Sequence, residues 1–93
     1  MHILLIQIDL GFPASQSLKE KRSSLKSIID HLRTRHNVTV AEVDNHDKWQ
    51  AGTIAVVTVS NLRRRTEETS RRVQDEIEKR FDVVIAGVDE QWL

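Results

Sequence analysis

Residues 37–61 read NVTVAEVDNHDKWQAGTIAVVTVSN, two extended runs separated by a polar stretch. Val38-Thr39-Val40-Ala41-Glu42-Val43 alternates as a half-buried strand does, and Thr53 to Ser60 is a β-branched run of the kind that fits a pleated surface. Between them stands DNHDKW (44–49), dense in chemically capable side chains. Flanked by two strands, it becomes a hairpin connection. Its aspartates and asparagine then suit turn chemistry, because short polar side chains bond their own backbone.

The chain on either side supplies the partners such a hairpin needs. Upstream, Ile3 to Leu10 forms a strand that stops at the breaker Gly11-Phe12-Pro13. Ser17-Leu18-Lys19-Glu20 then has the spacing of a capping box, with Ser17 meeting the amide of residue 20 while Glu20 reaches back. Leu18, Leu25, Ile28, Ile29, Leu32 and His36 fall on one helical face, and Asn37 is placed to end that helix. Downstream, Ser60 or Asn61 can cap a second helix whose apolar positions Leu62, Val73, Ile77 and Phe81 share a face with Thr66 and Thr69. Glu67–Arg71, Glu68–Arg72 and Asp75–Lys79 are acid-first i,i+4 pairs, the favourable orientation. Val83 to Val88 is the last strand. The order βαββαβ, with right-handed crossovers, predicts an α+β, ferredoxin-like sandwich: a four-stranded antiparallel sheet with both helices on one face. Residues 1–93 are read as one such domain, since a second core would need far more chain.

The opposite sheet face is less clear. Neither alternating set in the first or third predicted strand is cleanly polar, so the face away from the helices is expected to carry a partly apolar patch. Such patches mark partner surfaces, and a homodimer or higher oligomer through that face or an edge strand is the matching expectation.

Composition excludes several chemistries. There is no cysteine, which removes disulfides, thiolate metal sites and cysteine nucleophiles. The apolar run Ile3-Leu4-Leu5-Ile6 is too short to span a membrane and lacks a basic leader, so a cytoplasmic chain without membrane contact is expected. Lys and Arg number fourteen, as do Asp and Glu, so no global basic field exists and clustering matters more than the sum.

The cations do cluster. Lys19, Lys21, Arg22 and Lys26 open the first helix, and Lys19, Arg22, Lys26 and Arg33 follow one flank of its apolar face. Arg63, Arg64 and Arg65 open the second helix, where Arg65, Arg72 and Lys79 form a stripe. Because both helices pack on one sheet face, the two stripes are expected to form one groove-like surface suited to a polynucleotide backbone. The competing reading is a solvated, salt-bridged helix surface. Recognition by base stacking on the sheet is disfavoured: there is no tyrosine, and Phe12, Phe81, Trp49 and Trp92 all lie outside the middle of a predicted strand. In and beside the hairpin connection Glu42, Asp44, His46 and Asp47 offer oxygen and nitrogen ligands, with Lys48 as a loop contact, but one imidazole on one loop is a poor metal signal, and no metal or cofactor is expected. Trp49 either folds back over the core or is presented to a partner.

SLKEKRSSLKSII (17–29), NVTVAEVDNHDKWQ (37–50) and IAVVTVSN (54–61) together resemble the YlxP-like family of small bacterial proteins of unknown function. The resemblance spans nearly the whole chain and implies the same ferredoxin-like fold. Relatives tend to carry an acid after the VSN segment, where this chain has Leu62. The family has no established catalytic residues, so none carry over, and its genes often lie beside those of translation initiation and ribosome assembly factors. The expectation is a non-enzymatic protein that contacts RNA or a ribosomal component through the helix cations, with the 44–49 loop as support. The alternative is an oligomeric regulatory or protein-interaction module that uses the open sheet face.

Overall fold

The structure, a computed structural model, describes all residues 1–93. The elements are β1 (His2–Gly11), α1 (Leu18–Arg35), β2 (Thr39–Asp44), β3 (Ala51–Ser60), α2 (Arg63–Arg80) and β4 (Val84–Trp92). The strands form one antiparallel sheet in the order β2-β3-β1-β4, with β2 and β4 at its edges. This is the ferredoxin-like arrangement. No helix is long and apolar enough to cross a membrane.

The β1–β3 ladder sets everything else. It runs unbroken from His2↔Ser60 to Gly11↔Ala51. That register puts Leu4, Ile6, Ile8 and Leu10 on the helix side with Ile54, Val56 and Thr58, all at most 3 % exposed. A slip of one residue would send this set to the open face, so burial itself specifies the register. Leu25, Ile28 and Leu32 of α1, with Val73 and Ile77 of α2, close the core from above. Leu18 and Ile29, expected on the same α1 face, are only half-buried, because the position between them nearest the sheet belongs to Lys21. On α2 it is Thr66 and Ser70 that are buried; Thr69 is half-exposed. Thr66 Oγ1 donates to the Arg63 carbonyl at 2.6 Å, which lets a hydroxyl sit in the core satisfied.

Several ends differ from expectation. β4 extends to Trp92, well past Val88, because β1 continues to Leu4 and offers Trp92 a partner. Asp89, Glu90 and Gln91 hide that strand in the sequence, yet an edge strand can carry polar side chains on both faces. Ser17 caps α1 as expected, accepting from the Glu20 amide at 3.1 Å. The Glu20 carboxylate, however, accepts from the Gln16 amide at 2.6 Å, one residue outside the box. The second helix is capped by neither Ser60 nor Asn61: its N-cap is Leu62, with no side-chain cap bond and 38 % exposure. Leu62 is thus no member of the apolar face; Ser60 Oγ accepts from its amide at 3.1 Å instead. The acid-first pairs are absent as well, and the one ion pair formed within α2 is Arg63–Glu67 at 3.3 Å. Asn37 follows the C-cap His36 and ties the helix end to β3, donating to the Val59 carbonyl at 3.1 Å and accepting from Thr58 Oγ1 at 2.7 Å.

Lys21 is the largest departure. Its side chain is fully buried between α1 and the hairpin. The ammonium donates to Glu42 Oε2 at 3.0 Å, to the Asn45 carbonyl at 3.1 Å and to the His46 carbonyl at 3.4 Å. An ammonium has three protons, and all three are used. Replacing Lys21 with Met removes the charge, strands the Glu42 carboxylate and leaves two loop carbonyls without their donor. Loss of one partner of a buried pair is expected to lower unfolding stability by about 2–4 kcal/mol. Denaturant melts check this, and a K21M/E42Q pair should fall well short of the sum of the single changes.

Candidate functional site

The cations expected at a nucleic-acid surface divide into three environments. Lys21 is not available at all, since it is buried against Glu42 and the loop carbonyls. The sequence could not separate it from Lys19 and Arg22, because only the position of the hairpin over α1 decides which lysine is enclosed.

Arg22, Lys26 and Arg33 line a cleft of about 310 Å³ between α1 and the edge strand β2, with Leu25 and Ile29 at its base. Arg33 Nη2 donates to the Val40 carbonyl at 2.7 Å and so covers part of the free edge of β2. Lys19, Arg22 and Lys26 are exposed and take part in none of the molecule's six ion pairs. Their charge is therefore not taken up in an ion pair, although Asp30 and Glu42 line the same cleft.

Arg63 belongs to the other end of the fold. Its guanidinium lies 4.3 Å from the centroid of Trp92, a cation–π contact to the last residues of β4, and its Nε bonds Glu67. Arg64 and Arg65 beside it are exposed and unpaired. The two basic stripes do not form one groove. The α1 stripe faces β2, whereas the flank of α1 turned toward α2 carries His31. Ser23, Ser24 and Ser27 of α1 line a larger cleft of about 630 Å³ together with the Phe81-Asp82-Val83 turn, and no cation lines it.

Layer by layer, the zero net charge dissolves into two opposite fields. Thirteen of the fourteen lysines and arginines lie on α1 and α2, against seven of the fourteen acids, so the helices carry a formal charge of +6 and the strands and loops −6. Lys48 is the only cation off the helices. The open sheet face carries Asp9, Asp44 and Asp89, with apolar side chains at Ile3, Leu5, Val57 and Val59. Val59 is 44 % exposed, so the expected partly apolar patch is present at that end.

The 44–49 loop is tied down by a chain of hydrogen bonds. Asp44 Oδ1 accepts from the Asn45 amide at 2.7 Å, and Asn45 adopts φ 61°, a left-handed turn that asparagine tolerates. Asn45 Nδ2 donates to Thr53 Oγ1 at 2.9 Å, and Thr53 in turn donates to Asp9 Oδ1 at 2.8 Å. The Phe12 amide donates to the Gln50 carbonyl at 2.9 Å, and the Lys48 amide to Asn45 at 3.2 Å. Asp44, Asp47 and His46 do not converge: His46 Nε2 approaches only Glu42, at 3.9 Å, and that carboxylate already serves Lys21. No three His, Asp or Glu side chains are grouped so as to hold a metal ion. Trp49 is presented rather than folded in, 45 % exposed on this fixed loop.

One cluster escaped sequence reasoning. Glu76 of α2 is hydrogen-bonded to His31 Nε2 at 2.8 Å, while His36 Nε2 lies 3.1 Å from the same oxygen without hydrogen-bond alignment and Arg35 lies 3.9 Å from the other. The His31 ring also meets Phe81 edge-on, 5.6 Å between centroids. Periodicity within either helix carries no signal for this contact, because it depends on how α1 and α2 lie against each other. Burial acts to raise the Glu76 pKa, but the polar contacts of His36 and His31 and their positive charge outweigh it and hold the carboxyl below its ordinary value.

Residues 3–91 match the family described as "Protein of unknown function (DUF503)", and the chain belongs to that family. It is also similar to "Uncharacterized protein YlxP" of Bacillus subtilis (strain 168), 39 % identical over 57 residues. The match covers 61 % of this chain and 62 % of that relative. Neither description names an activity.

The lowered Glu76 pKa makes a prediction of definite sign. A carboxyl that binds its proton less readily when folded stabilises the fold above the ordinary value of 4.5, and that contribution is lost as pH falls through the lowered value. Glu76→Gln should reduce stability at neutral pH by about 1 kcal/mol, a modest loss because its contacts to His31, His36 and Arg35 lie at a partly exposed site. It should also flatten the fall in stability below pH 4.5, measured by denaturant melts across a pH series.

Proposed function

We propose that this chain is a non-catalytic module that binds structured RNA, ribosomal RNA included, through phosphate contacts on its helical layer. The observation that carries the reading is the segregation of thirteen of fourteen cations onto α1 and α2, with Lys19, Arg22 and Lys26 free of ion pairs. Duplex and folded RNA present closely spaced phosphates, and each one neutralised by lysine or arginine releases condensed counterions. The same field draws a polyanion in and orients it, since the acidic sheet and loops repel it. Arg22, Lys26 and Arg33 along the α1–β2 cleft are the first contacts, and Arg64 and Arg65 extend them on α2. Lys21 contributes indirectly, by holding the hairpin against α1. The gene neighbourhood that accompanies the YlxP-like resemblance points the same way.

A second reading, self-association through the open face, draws support from exposed Val59 and the shallow cavity of about 280 Å³ it shares with Thr39 and Val57. Sedimentation at high concentration separates it, and a strict monomer would remove it.

The phosphate reading predicts that affinity for a folded RNA falls steeply with salt. Arg22→Glu with Lys26→Glu should weaken binding at low salt and reduce the magnitude of the log–log salt slope by about 2, one unit per lost phosphate contact. Both positions are exposed and unpaired, so thermal unfolding should hardly move. Unchanged affinity and slope in that double variant would refute the assignment.

A further inference from the structure

The indole of Trp49 is exposed with no ring or cation stacked upon it, a combination that no other aromatic side chain of the molecule shows. Phe12 is 2 % exposed, at the floor of the core. Phe81 receives the edge of His31, and Trp92 has Arg63 over its face and His2 against its edge at 6.4 Å. Trp49 alone is free and open, 45 % exposed.

Its supporting loop is hydrogen-bonded to the rest of the fold at several points. The buried Lys21 ammonium grips the carbonyls of Asn45 and His46, and Asn45 is bonded to Thr53 through its side chain. Gln50, the neighbour of Trp49, accepts from the Phe12 amide and donates its side-chain amide to the Ser15 carbonyl at 3.4 Å. Gln50 is thus held to the β1–α1 connection, and the other side of the loop, at Asn45 and His46, to Lys21 of α1. A group displayed by a fixed backbone loses little entropy when a ligand covers it, which favours binding.

We propose that Trp49 is a stacking platform for an unpaired nucleobase, placed beside the phosphate-binding flank of α1. This rests on the phosphate reading above and sharpens its substrate class to folded RNA that carries an unpaired segment, which a short single strand mimics. The link between the two features runs through Lys21, whose ammonium holds both the loop carbonyls of Asn45 and His46 and the Glu42 carboxylate. His46, on the same loop, approaches Glu42, and Glu42 lines the cleft with Arg22 and Lys26. Every base has a π-face, so the contact is tolerant of sequence, and the cations beside it track the backbone.

The test uses the full chain with Trp92→Phe as parent, which leaves Trp49 as its sole indole. A short single-stranded oligoadenylate and a blunt RNA duplex of the same length are titrated while indole fluorescence is followed. The single strand should quench Trp49 and the duplex should not. Adding Trp49→Ala should weaken the single strand about tenfold to a hundredfold, the usual effect of losing one stacked base, and leave the salt slope and the duplex affinity unchanged. Trp49→Phe should fall in between, with both variants melting like the parent. Salt-dependent binding with no quenching, or an equal loss for both RNAs, overturns the stacking platform and leaves the phosphate reading standing. Failure of both RNAs to bind removes the phosphate reading and this inference together.

Discussion

A single buried ammonium joins the two halves of this molecule. Lys21 sits on the face of α1 that should belong to a hydrocarbon side chain, and its charge is matched by Glu42 on β2 and by two carbonyls of the hairpin loop. Burying an unpaired ammonium would be prohibitive, so the lysine can occupy this place only while all its partners are in position. The hairpin is thereby locked to α1 at one particular geometry, since a displaced loop would leave donors and acceptors unmatched. The anchoring of the 44–49 loop, the walls of the α1–β2 cleft and the exposure of Trp49 all follow from that requirement.

The second organising feature is electrostatic. Each helix buries one stripe and leaves the rest of its circumference in water, and on both helices that remainder is rich in lysine and arginine. The strands and loops carry the compensating acids. Net charge therefore misdescribes the protein, because an incoming polyanion responds to the face it approaches within roughly a Debye length of about 10 Å. The acids of α2 mostly leave its arginines alone: Glu76 is committed to two histidines and an arginine of α1, and only Glu67 pairs with a cation of its own helix.

The cluster at Glu76 also shows why some of the site was illegible. His31 and His36 are five residues apart and read as ordinary helix positions, while Glu76 looks like one more acid on a charged surface. They meet because α1 and α2 pack side by side over the sheet. The same holds for Arg63, which reads as one of three consecutive arginines but closes over Trp92, a residue that only the full length of β4 brings within reach. Helix ends were legible where a side chain supplies the cap, as at Ser17, and misleading where none does, as at Leu62.

From the sequence alone came the order of elements, the hairpin nature of 44–49 and the clustering of cations on two helices. All of these are local: they depend on periodicity, turn residues and spacing along the chain, which short-range sterics and burial enforce. Which face of each strand is buried, which lysine is enclosed, whether two basic stripes meet and whether an indole is covered were decided by tertiary structure. Those are properties of distances between segments far apart in the chain. Lys19, Lys21 and Arg22 are near-equivalent in composition, yet the sheet register and the seat of one hairpin bury the second and leave the other two to solvent.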